Sequence, residues 1–424
     1  MTTRSTQQIP EVLQVLQVLP KIMLQAVIMA AGKSTRTYPL TLTKPKPLLH
    51  IANKPILAHQ LDQFVGLIED VIIIVGYKHE MIREYFGNSY RGIALNYVEQ
   101  QEQLGTGHAA MQVRPYIRDR FLLMNGDDLY AREDIEGCLR HHYSLLSMEV
   151  ADPRQFGVLT VENGLVKDLI EKPEHPASNL TSVGMYVFDT KIFPLLDKIP
   201  RSPRGEYEVT DGVKELVKVA EVFYHVGTGY WIPVGFPWSL LNANDFLLER
   251  NPKDQIQGTL EPGVTIEGTL SLGAHSVIRR GTYIQGNLCV GDHCEIGAYC
   301  HITGNTSIGD HSQIAHSTTI NNSVIDQHVQ IEPFCHIAYS VIGDFSRIHS
   351  GAVTMSRTTQ GKTIISRVKR EMIDSGREQL GAVLASSVEL HPHVVTYPGM
   401  KIWPEMVVPA GTAVKADMMV YIDD

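Results

Sequence analysis

Short apolar runs alternate with amphipathic stretches along the first half of this 424-residue chain. Such alternation predicts an α/β domain whose mixed, mainly parallel sheet is covered by helices on both faces. Ligands of these sheets bind beyond the carboxyl ends of the strands, which points to the segments after Ala30, Glu99 and Met124. Two segments with Pro, Asp and Ser, 145–155 and 173–180, are predicted loops. The predicted strands are LQAVIMA (24–30), DVIIIVG (70–76), IALNYVE (93–99) and RFLLMNG (120–126), and the predicted helices are 55–66, 79–86 and 106–112.

The second half follows a different rule, because its apolar side chains recur every six positions. Neither a helix nor an alternating strand has this period, whereas a left-handed parallel β-helix of hexapeptide repeats does. Three flat sides make one coil, so residues eighteen apart should stack. The repeat starts Leu260, Ile266, Leu272, Ile278, Ile284, Val290, Ile296, Ile302, Ile308, Ile314 and Ile320, shortens by one residue before Ile325 and Ile342, and returns at Leu384, Leu390, Thr396, Ile402, Val408 and Val414.

One stretch, 354–383, interrupts the six-residue repeat and carries several Lys and Arg residues. We predict that it forms an arm projecting from the β-helix; a solvated surface loop is the alternative. The change of period places a domain boundary near residues 250–257. We therefore predict an N-terminal extension at 1–20, a first domain at 21–250 and a β-helix domain at 257–424.

Composition and charge narrow the classes of protein. A formal net charge of -9 argues against nucleic acid as a partner, since phosphate binding needs a cationic surface. No apolar stretch approaches the ~18 residues of a membrane-spanning helix, so we expect no membrane association. Five cysteines without a C-x-x-C pair fit buried thiols in a reducing compartment, which predicts a cytoplasmic protein.

The strongest local signal is AAGKSTRTYPLTLTKPKPLL (30–49), directly after the first predicted strand. Ala31 and Gly32 allow a phosphate to approach the backbone closely, and successive N–H groups there can cradle an anion. Arg36 and Lys46 add positive charge suited to a triphosphate. The run is neither a Walker A loop nor a G-x-G-x-x-G motif.

The same run resembles the signature of sugar-nucleotide pyrophosphorylases, roughly G-x-G-T-R-x-x-P-L-T followed by P-K-P. Ser34 departs from this pattern, where the family usually has Gly. The resemblance implies a Rossmann-like nucleotidyltransferase domain in which Arg36 and Lys46 bind the triphosphate and the leaving pyrophosphate. The matching residues are Arg36, Pro39, Leu40, Thr41, Pro45, Lys46 and Pro47.

A second run, QQEQLGTGHAA (100–110), resembles the base-reading loop of uridylyltransferases that make UDP-N-acetylglucosamine. The resemblance implies that Gln100 reads uracil and that Gly105 and Thr106 pack under the base. A side-chain amide can pair with both N3–H and O4 of uracil. Taken alone, a glutamine such as Gln100 is more often a surface residue.

Two further runs complete the resemblance in the first domain. LLMNGDDLY (122–130) ends an apolar strand in two carboxylates, which suit Mg²⁺ beside phosphates. By family position Asp127 is the metal ligand, with Asp128 its less certain neighbour.

A further run, FGVLTVENGLVKDLIEKP (156–173), resembles the family segment that holds the sugar and its phosphate. The resemblance implies that Gly157, Glu171 and Lys172 bind them. Gly184, in SVGMYVF, matches the glycine beside the sugar phosphate. Ser182 stands where uridylyltransferases of the family often have Asn.

One departure concerns the metal. The family tract W-x-D-V-G-x-P-W-D contains an Asp that completes the metal site, whereas this chain reads WIPVGFPWS (231–239), with Pro233 there. Either Asp127 holds Mg²⁺ together with substrate oxygens and water, or catalysis is weakened. Mg²⁺ commonly keeps several waters, which favours the first alternative.

In the second half, DSGREQLGAV (374–383) resembles the acetyltransferase half of bifunctional archaeal-type uridylyltransferases. The resemblance implies acetyl-CoA as a possible co-substrate, His336 as a possible acetyltransferase residue and assembly into a homotrimer. The relatives' T-x-x-N motif appears here as Thr354-Met355-Ser356-Arg357, without the Asn. We therefore predict acetyl transfer that is absent or much reduced.

We predict transfer of a nucleotidyl group from a nucleoside triphosphate onto glucose- or N-acetylglucosamine-1-phosphate, with release of pyrophosphate; the motifs favour UTP as the donor and leave dTTP as the alternative. The rival is a regulatory or assembly subunit of the same architecture that has lost turnover, which Pro233 and Ser356 favour. A second alternative is a bifunctional enzyme with an active β-helix. Against the rival stand five retained residues: Arg36, Lys46, Asp127, Glu171 and Lys172.

Overall fold

The computed structural model describes residues 24–250 and 254–419, so the extension predicted at 1–20 lies outside the described residues. No helix in these ranges is long and apolar enough to cross a membrane. The helices are α1 Ile56–Phe64, α2 His79–Phe86, α3 Thr106–Gln112, α4 Arg132–Cys138, α5 Ile192–Leu196, α6 Val209–Leu216 and α7 Ser239–Arg250. The strands before residue 250 are β1 Gln25–Ala30, β2 His50–Ile51, β3 Lys54–Pro55, β4 Asp70–Val75, β5 Ser89–Tyr90, β6 Ile93–Glu99, β7 Phe121–Asn125, β8 Asp128–Tyr130, β9 Ser144–Glu149, β10 Gly157–Glu162, β11 Leu165–Glu171, β12 Leu180–Phe188, β13 Phe223–Val226 and β14 Trp231–Pro233.

The first domain is built on a ten-stranded sheet in the order β10-β11-β13-β9-β12-β7-β1-β4-β6-β5. Strands β7, β1, β4 and β6 run parallel to one another, as predicted from the apolar runs that form them. β12 lies antiparallel between β7 and β9, so the other half is mostly antiparallel. Two apolar clusters cover the two faces of the sheet. The α/β nucleotidyltransferase-type fold is confirmed.

The predicted strands and helices of the first half all form, and α2 and α3 have the predicted bounds. The loop predicted at 145–155 is wrong over residues 145–149, because β9 (Ser144–Glu149) is a strand inside the sheet; residues 150–155 form a connection with one 3-10 turn. The serines of β9 are buried with their hydroxyls hydrogen-bonded: Ser144 donates to the Cys138 carbonyl (2.6 Å) and Ser147 to the His225 carbonyl (3.0 Å). Polar composition therefore did not mean exposure here.

The second half is a left-handed parallel β-helix, as predicted. Residues at the six-residue repeat form one continuous core, and from Leu272 onward each is at most 3% exposed. Leu260, Ile278, Ile296 and Ile314 stack in register on one side. The strands are β15 Gln255–Ile256, β16 Thr259–Leu260, β17 Thr265–Leu272, β18 Val277–Ile278, β19 Tyr283–Val290, β20 Glu295–Ile296, β21 His301–Ile308, β22 Gln313–Ile314, β23 Thr319–Asn321, β24 Val324–Ile325, β25 Gln330–Ile331, β26 His336–Ala338, β27 Val341–Ile342, β28 Arg347–Ile348, β29 Val353–Thr354, β30 Ile365–Val368, β31 Glu371–Asp374, β32 Val383–Leu384, β33 Glu389–Leu390, β34 Val395–Thr396, β35 Lys401–Ile402, β36 Val407–Val408 and β37 Ala413–Val414.

One corner of the β-helix carries a ladder of exposed aromatic rings. Each residue of the ladder has a left-handed backbone with φ between 57° and 61°, a conformation that costs side chains other than Gly about 1–2 kcal/mol. Ring centroids of successive coils lie 4.7–4.9 Å apart and nearly parallel, so stacking offsets part of this cost. The ladder consists of His275, His293, His311, His328 and Phe345.

The arm at 354–383 does not simply project from the β-helix. Strands β30 and β31 form a hairpin, and residues on either side of its turn sit in an apolar cluster shared with the first domain. Ile364, Val368 and Leu380 are at most 6% exposed, while Met372 near the tip is 66% exposed. Apolar residues at the base of the arm are therefore buried between the two halves, whereas Ile365, Met372 and residues 359–363 face solvent.

Thr396 occupies an inward position of the repeat, fully buried, and its hydroxyl has no hydrogen-bond partner among the described residues. Thr396→Val should therefore raise the free energy of unfolding by about 1 kcal/mol, because it removes an unsatisfied buried hydroxyl at constant shape. The measurement is denaturant unfolding of the full chain.

Thr354, paired with Thr396 in the ladder, is the matched control. Its hydroxyl oxygen accepts from the Ala338 N–H (2.9 Å) and lies 2.9 Å from the Ser340 hydroxyl. Thr354→Val should lower the free energy of unfolding by about 1–3 kcal/mol. Shifts of the same sign in both variants would contradict this account.

Candidate functional site

The backbones of β1 and β7 meet at their carboxyl ends. The Gly126 N–H donates to the Met29 carbonyl (2.9 Å), and a Cβ on Gly126 would lie 2.6 Å from that oxygen. Only glycine permits this approach. As a result, the phosphate loop after Ala30 lies beside the two carboxylates that follow β7, as predicted from the strand ends.

Lys46 and Asp127 are brought together by this arrangement. Lys46 Nζ donates to Asp127 Oδ2 at 2.8 Å; the lysine side chain is 3% exposed and that of Asp127 is 41% exposed. Burial acts to raise the pKa of Asp127, but the charge and hydrogen bond of Lys46 and the charge of Arg36 outweigh it and lower the pKa. Asp127 is therefore an ionised carboxylate with an accessible face.

The rest of the phosphate loop is open. Gly32 and Arg36 are exposed, and the Arg36 guanidinium lies 5.7 Å from the Phe236 ring centroid. Ala31 is buried, and its carbonyl accepts from the Tyr77 N–H (3.1 Å). Ser34 adopts a left-handed backbone (φ 53°), which explains why the related signature prefers glycine at this position.

Asp128 faces away from the phosphate loop. Its Oδ2 accepts from Trp231 Nε1 (3.2 Å) and the Tyr130 hydroxyl (3.2 Å). Burial and the charge of Asp127 raise the pKa of Asp128 to about 7. Pro233 lies directly opposite Asp128 in the β8–β14 pair, so the family's second metal carboxylate is missing beside this residue.

The donor set at this point fits a cation that needs few protein ligands. Asp127 offers one accessible carboxylate, and Mg²⁺ commonly binds one or two carboxylates plus substrate phosphates and waters. Throughout residues 24–250 and 254–419, the one trio of metal-ligand side chains is His349, Glu389 and His391, on the β-helix. Both ring nitrogens of His349 are bonded to carboxylates, Glu332 and Glu389, whose hydrogen bonds raise its pKa; a protonated imidazolium satisfies that trio without a metal.

The predicted sugar residues converge on β10, β11 and β12. Gly157 pairs with Glu171 on one side and Ser182 on the other. A Cβ on Gly157 would lie 3.3 Å from Glu171 Oε2. Lys172 has a left-handed backbone (φ 46°), and its N–H donates to the Phe156 carbonyl (2.9 Å). These four residues therefore line one wall.

Two charges on this wall have shifted pKa values. Burial and the charge of Glu208 raise the pKa of Glu171. Burial and the charge of Arg204 lower the pKa of Lys172. Sequence reasoning missed Arg204 and Glu208, although Glu208 is 4% exposed and accepts from Arg204 (2.7 Å). The signal was the charged run RGEYEVTD (204–211), which leads into the first turn of α6.

Gln100 is not a surface glutamine. It is 4% exposed, and its amide nitrogen lies 2.9 Å from His108 Nδ1. Gly105 has φ 104°, and a Cβ there would lie 2.5 Å from the Tyr207 carbonyl. The Thr106 hydroxyl accepts from the Val209 N–H (3.1 Å). The predicted base loop is thereby fixed to the segment that carries Glu208.

His336 lies elsewhere, exposed on β26 of the β-helix. Thr354 is buried, and the Ser356 carbonyl accepts from the Leu380 N–H (2.9 Å) at the base of the arm. The role of His336 therefore stays a prediction.

Comparison with known proteins agrees with this geometry. A family model described as nucleotidyl transferase matches residues 25–250, and one described as GMPPB C-terminal domain matches residues 284–408. The chain is 36% identical over 381 residues to "Bifunctional protein GlmU" of Methanocaldococcus jannaschii, covering 89% of this chain and 92% of that protein. The chain therefore belongs to the nucleotidyl transferase family.

Two further relatives narrow the reaction. One is a bifunctional sugar-1-phosphate nucleotidylyltransferase/acetyltransferase of Sulfurisphaera tokodaii, 32% identical over 402 residues, covering 93% of this chain and 98% of that protein. The other is the UTP--glucose-1-phosphate uridylyltransferase AglF of Haloferax volcanii, 36% identical over 229 residues, covering 50% of this chain and 92% of that protein. Within its family this chain is a sugar-1-phosphate nucleotidyltransferase.

Substitution of Gly184 tests whether this residue borders the predicted sugar-phosphate site. Gly184 has φ 76°, and a Cβ would lie 2.0 Å from Asn125 Nδ2, next to the two carboxylates. Gly184→Ala should raise KM for the sugar phosphate or lower kcat at least tenfold, since a displacement of about 1 Å in an active site can cost 10²-fold. Steady-state kinetics measure both constants.

Gly164→Ala is the matched control. Gly164 has φ 79°, and a Cβ there would meet nothing within 4 Å. It carries the same backbone strain, about 1–2 kcal/mol, without a contact in the site. Similar kinetic losses in the two variants would remove Gly184 from the sugar wall.

Proposed function

We propose that this chain transfers a uridylyl group from UTP to glucose- or N-acetylglucosamine-1-phosphate, with Mg²⁺ held at Asp127. The observation that carries the proposal is the 2.8 Å contact between Lys46 and Asp127, which joins the phosphate loop to the carboxylates after β7. An ammonium and an ionised carboxylate at one strand edge suit a triphosphate accompanied by a divalent cation.

Phosphoryl-group chemistry of this kind needs positioning and charge neutralisation more than covalent catalysis. The sugar phosphate oxygen attacks the α-phosphorus in line, the bond to the bridging oxygen breaks, and pyrophosphate leaves. Lys46 and Arg36 face the leaving side and neutralise its growing charge. A Mg²⁺ ion supplies further neutralisation when bound, and Asp127 is the residue that would hold it.

The nucleophile is held on the opposite wall. We assign Lys172 to the phosphate of the sugar-1-phosphate; its position after β11, fixed by the bond from its N–H to the Phe156 carbonyl, supports this role. Glu171 and Gly157 border the sugar, with Ser182 behind them and Gly184 beside Asn125. The ion pair between exposed Arg204 and buried Glu208 fixes the segment next to this wall.

UTP is the proposed donor because Gln100 is buried in a loop of fixed shape. Its amide nitrogen already lies near His108, which orients the amide and leaves its oxygen to accept from N3–H of uracil. The relative from Haloferax volcanii is named as a UTP-dependent enzyme, which supports the same donor.

The rival reading, a regulatory or assembly subunit, loses its main support here. Pro233 removes a carboxylate, yet Asp127 keeps an accessible face and its pairing with Lys46. The relative from Sulfurisphaera tokodaii, which matches 93% of this chain, is named as an enzyme. Acetyl transfer in the β-helix stays a prediction of absent or much reduced activity because Asn is missing from the T-x-x-N motif, and homotrimer formation stays a prediction as well.

Lys46→Met tests the phosphate contact. It keeps the length of the side chain but removes the charge, so pyrophosphate release should fall about 10²–10³-fold. Lys46→Arg should retain part of the rate. The control is Lys191→Met, an exposed lysine at the start of α5, which should leave the rate unchanged. A Lys46→Met protein with near wild-type turnover would refute the assignment.

A substrate panel tests the donor. Pyrophosphate release should be fastest with UTP and at least 10²-fold slower with ATP or GTP, since a purine leaves buried polar groups unpaired. Gln100→Leu should lower kcat/KM for UTP about tenfold or more, whereas Gln101→Leu, at the exposed neighbour, should not. Efficient use of a purine triphosphate by the unaltered protein would overturn the uracil assignment.

A further inference from the structure

Two lysines lie two residues apart in the phosphate run and point to different halves of the molecule. Lys46 points into the transfer site, toward Asp127. Lys44 points into the β-helix, where its Nζ lies 2.7 Å from Asp326 Oδ2 and 3.1 Å from Asp344 Oδ2. The β-helix therefore contacts the run that carries Lys46 through charged groups.

Asp326 holds this run at two points. Its Oδ2 accepts from Lys44, and its Oδ1 lies 2.7 Å from His50 Nδ1. Between Lys44 and His50 lies one 3-10 turn, residues 46–48, which begins with Lys46. One carboxylate thus spans the turn from which Lys46 extends.

The contact is buried, and it rests on a rigid base. Lys44 is 9% exposed and Asp326 is 8% exposed. The Asp326 N–H donates to the Ile342 carbonyl of the next coil (2.8 Å), so its backbone is part of the β-helix ladder. Removing one partner of a buried charge pair leaves the other charge without compensation, so the pair strongly favours a single arrangement.

Both groups of the pair carry their charge. The charges of Asp326 and Asp344 outweigh burial and raise the pKa of Lys44. Burial acts to raise the pKa of Asp326, but the charges of Lys44 and His50 outweigh it and lower the pKa. A second link lies alongside, where the Thr43 hydroxyl is 2.8 Å from the Ser386 hydroxyl, which in turn donates to Asp344.

We propose that Asp326 is a positioning residue for nucleotidyl transfer: by holding Lys44 and His50 it sets the turn that aims Lys46 at the triphosphate. The inference rests on the proposed role of Lys46. Under this proposal the β-helix positions a residue of the transfer site, in addition to any activity or role in assembly of its own.

The first test is Asp326→Asn in the full chain. This change keeps the size and one oxygen but removes the charge. It should lower kcat about ten- to a hundredfold through a small shift of Lys46, with KM for the sugar phosphate little changed because that wall lies on β10 to β12. Asp310→Asn is the matched control, since Asp310 follows Gly309, which stacks on Asp326 from the preceding coil, and bonds to Asp292 and Gln327 of the β-helix.

The decisive measurement combines this change with Lys46→Met. If Asp326 acts through Lys46, adding Asp326→Asn to the Lys46→Met protein should lower the remaining rate less than about twofold, because the two effects share one route. A general loss of structure would instead multiply the two effects. Multiplied losses, or a near wild-type rate in Asp326→Asn alone, would overturn the proposal.

His50→Ala covers the case in which Asp326→Asn does not fold. It releases one end of the turn and leaves the Lys44–Asp326 pair in place, so the chain should fold and lose kcat by a smaller factor, again with little further loss beside Lys46→Met. Full activity in His50→Ala with a non-folding Asp326→Asn would assign Asp326 to stability alone. A Lys46→Met protein that retains its rate would instead overturn the proposed function itself.

Discussion

The transfer site depends on how closely two strand ends approach each other. At Gly126 the backbone of β7 comes so near to Met29 of β1 that no side chain fits between them. This approach places the phosphate loop and the carboxylates at one edge, where Lys46 can reach Asp127. All other parts of the site, the base loop and the sugar wall included, are arranged around that fixed edge.

The sequence predicted the parts of the fold that repeat. A six-residue apolar period can be recognised in the sequence because each inward aliphatic side chain stacks on the one a coil away, so the same packing interaction recurs many times along the chain. The parallel strands of the first domain were readable as uninterrupted apolar runs. β9 was missed because Ser144 and Ser147 satisfy their hydroxyls on neighbouring carbonyls, which composition cannot show.

The site was predictable only where a motif carried it. Lys46, Asp127 and Gly157 lie in runs that resemble known signatures. The structure brings Lys46 and Asp127 together at the expected strand ends and places Gly157 at the start of β10, while the roles of all three stay proposals. Glu208 lies outside those runs, and Asn125 lies inside one of them without a predicted role; the contacts of both residues became visible only in the structure. The Lys44–Asp326 contact joins residues 282 positions apart in the chain, and no local pattern marks either partner.

The arm has a consequence for how this architecture can vary. Val341 pairs directly with Val383 and Val353 with Val395, so the ladder closes over the insertion as if the intervening chain were absent. A stack of coils held by neighbour-to-neighbour hydrogen bonds can lose or lengthen such an excursion without a change of register elsewhere. Natural selection can therefore rebuild the hairpin tip residue by residue while the scaffold and its seam with the first domain stay intact.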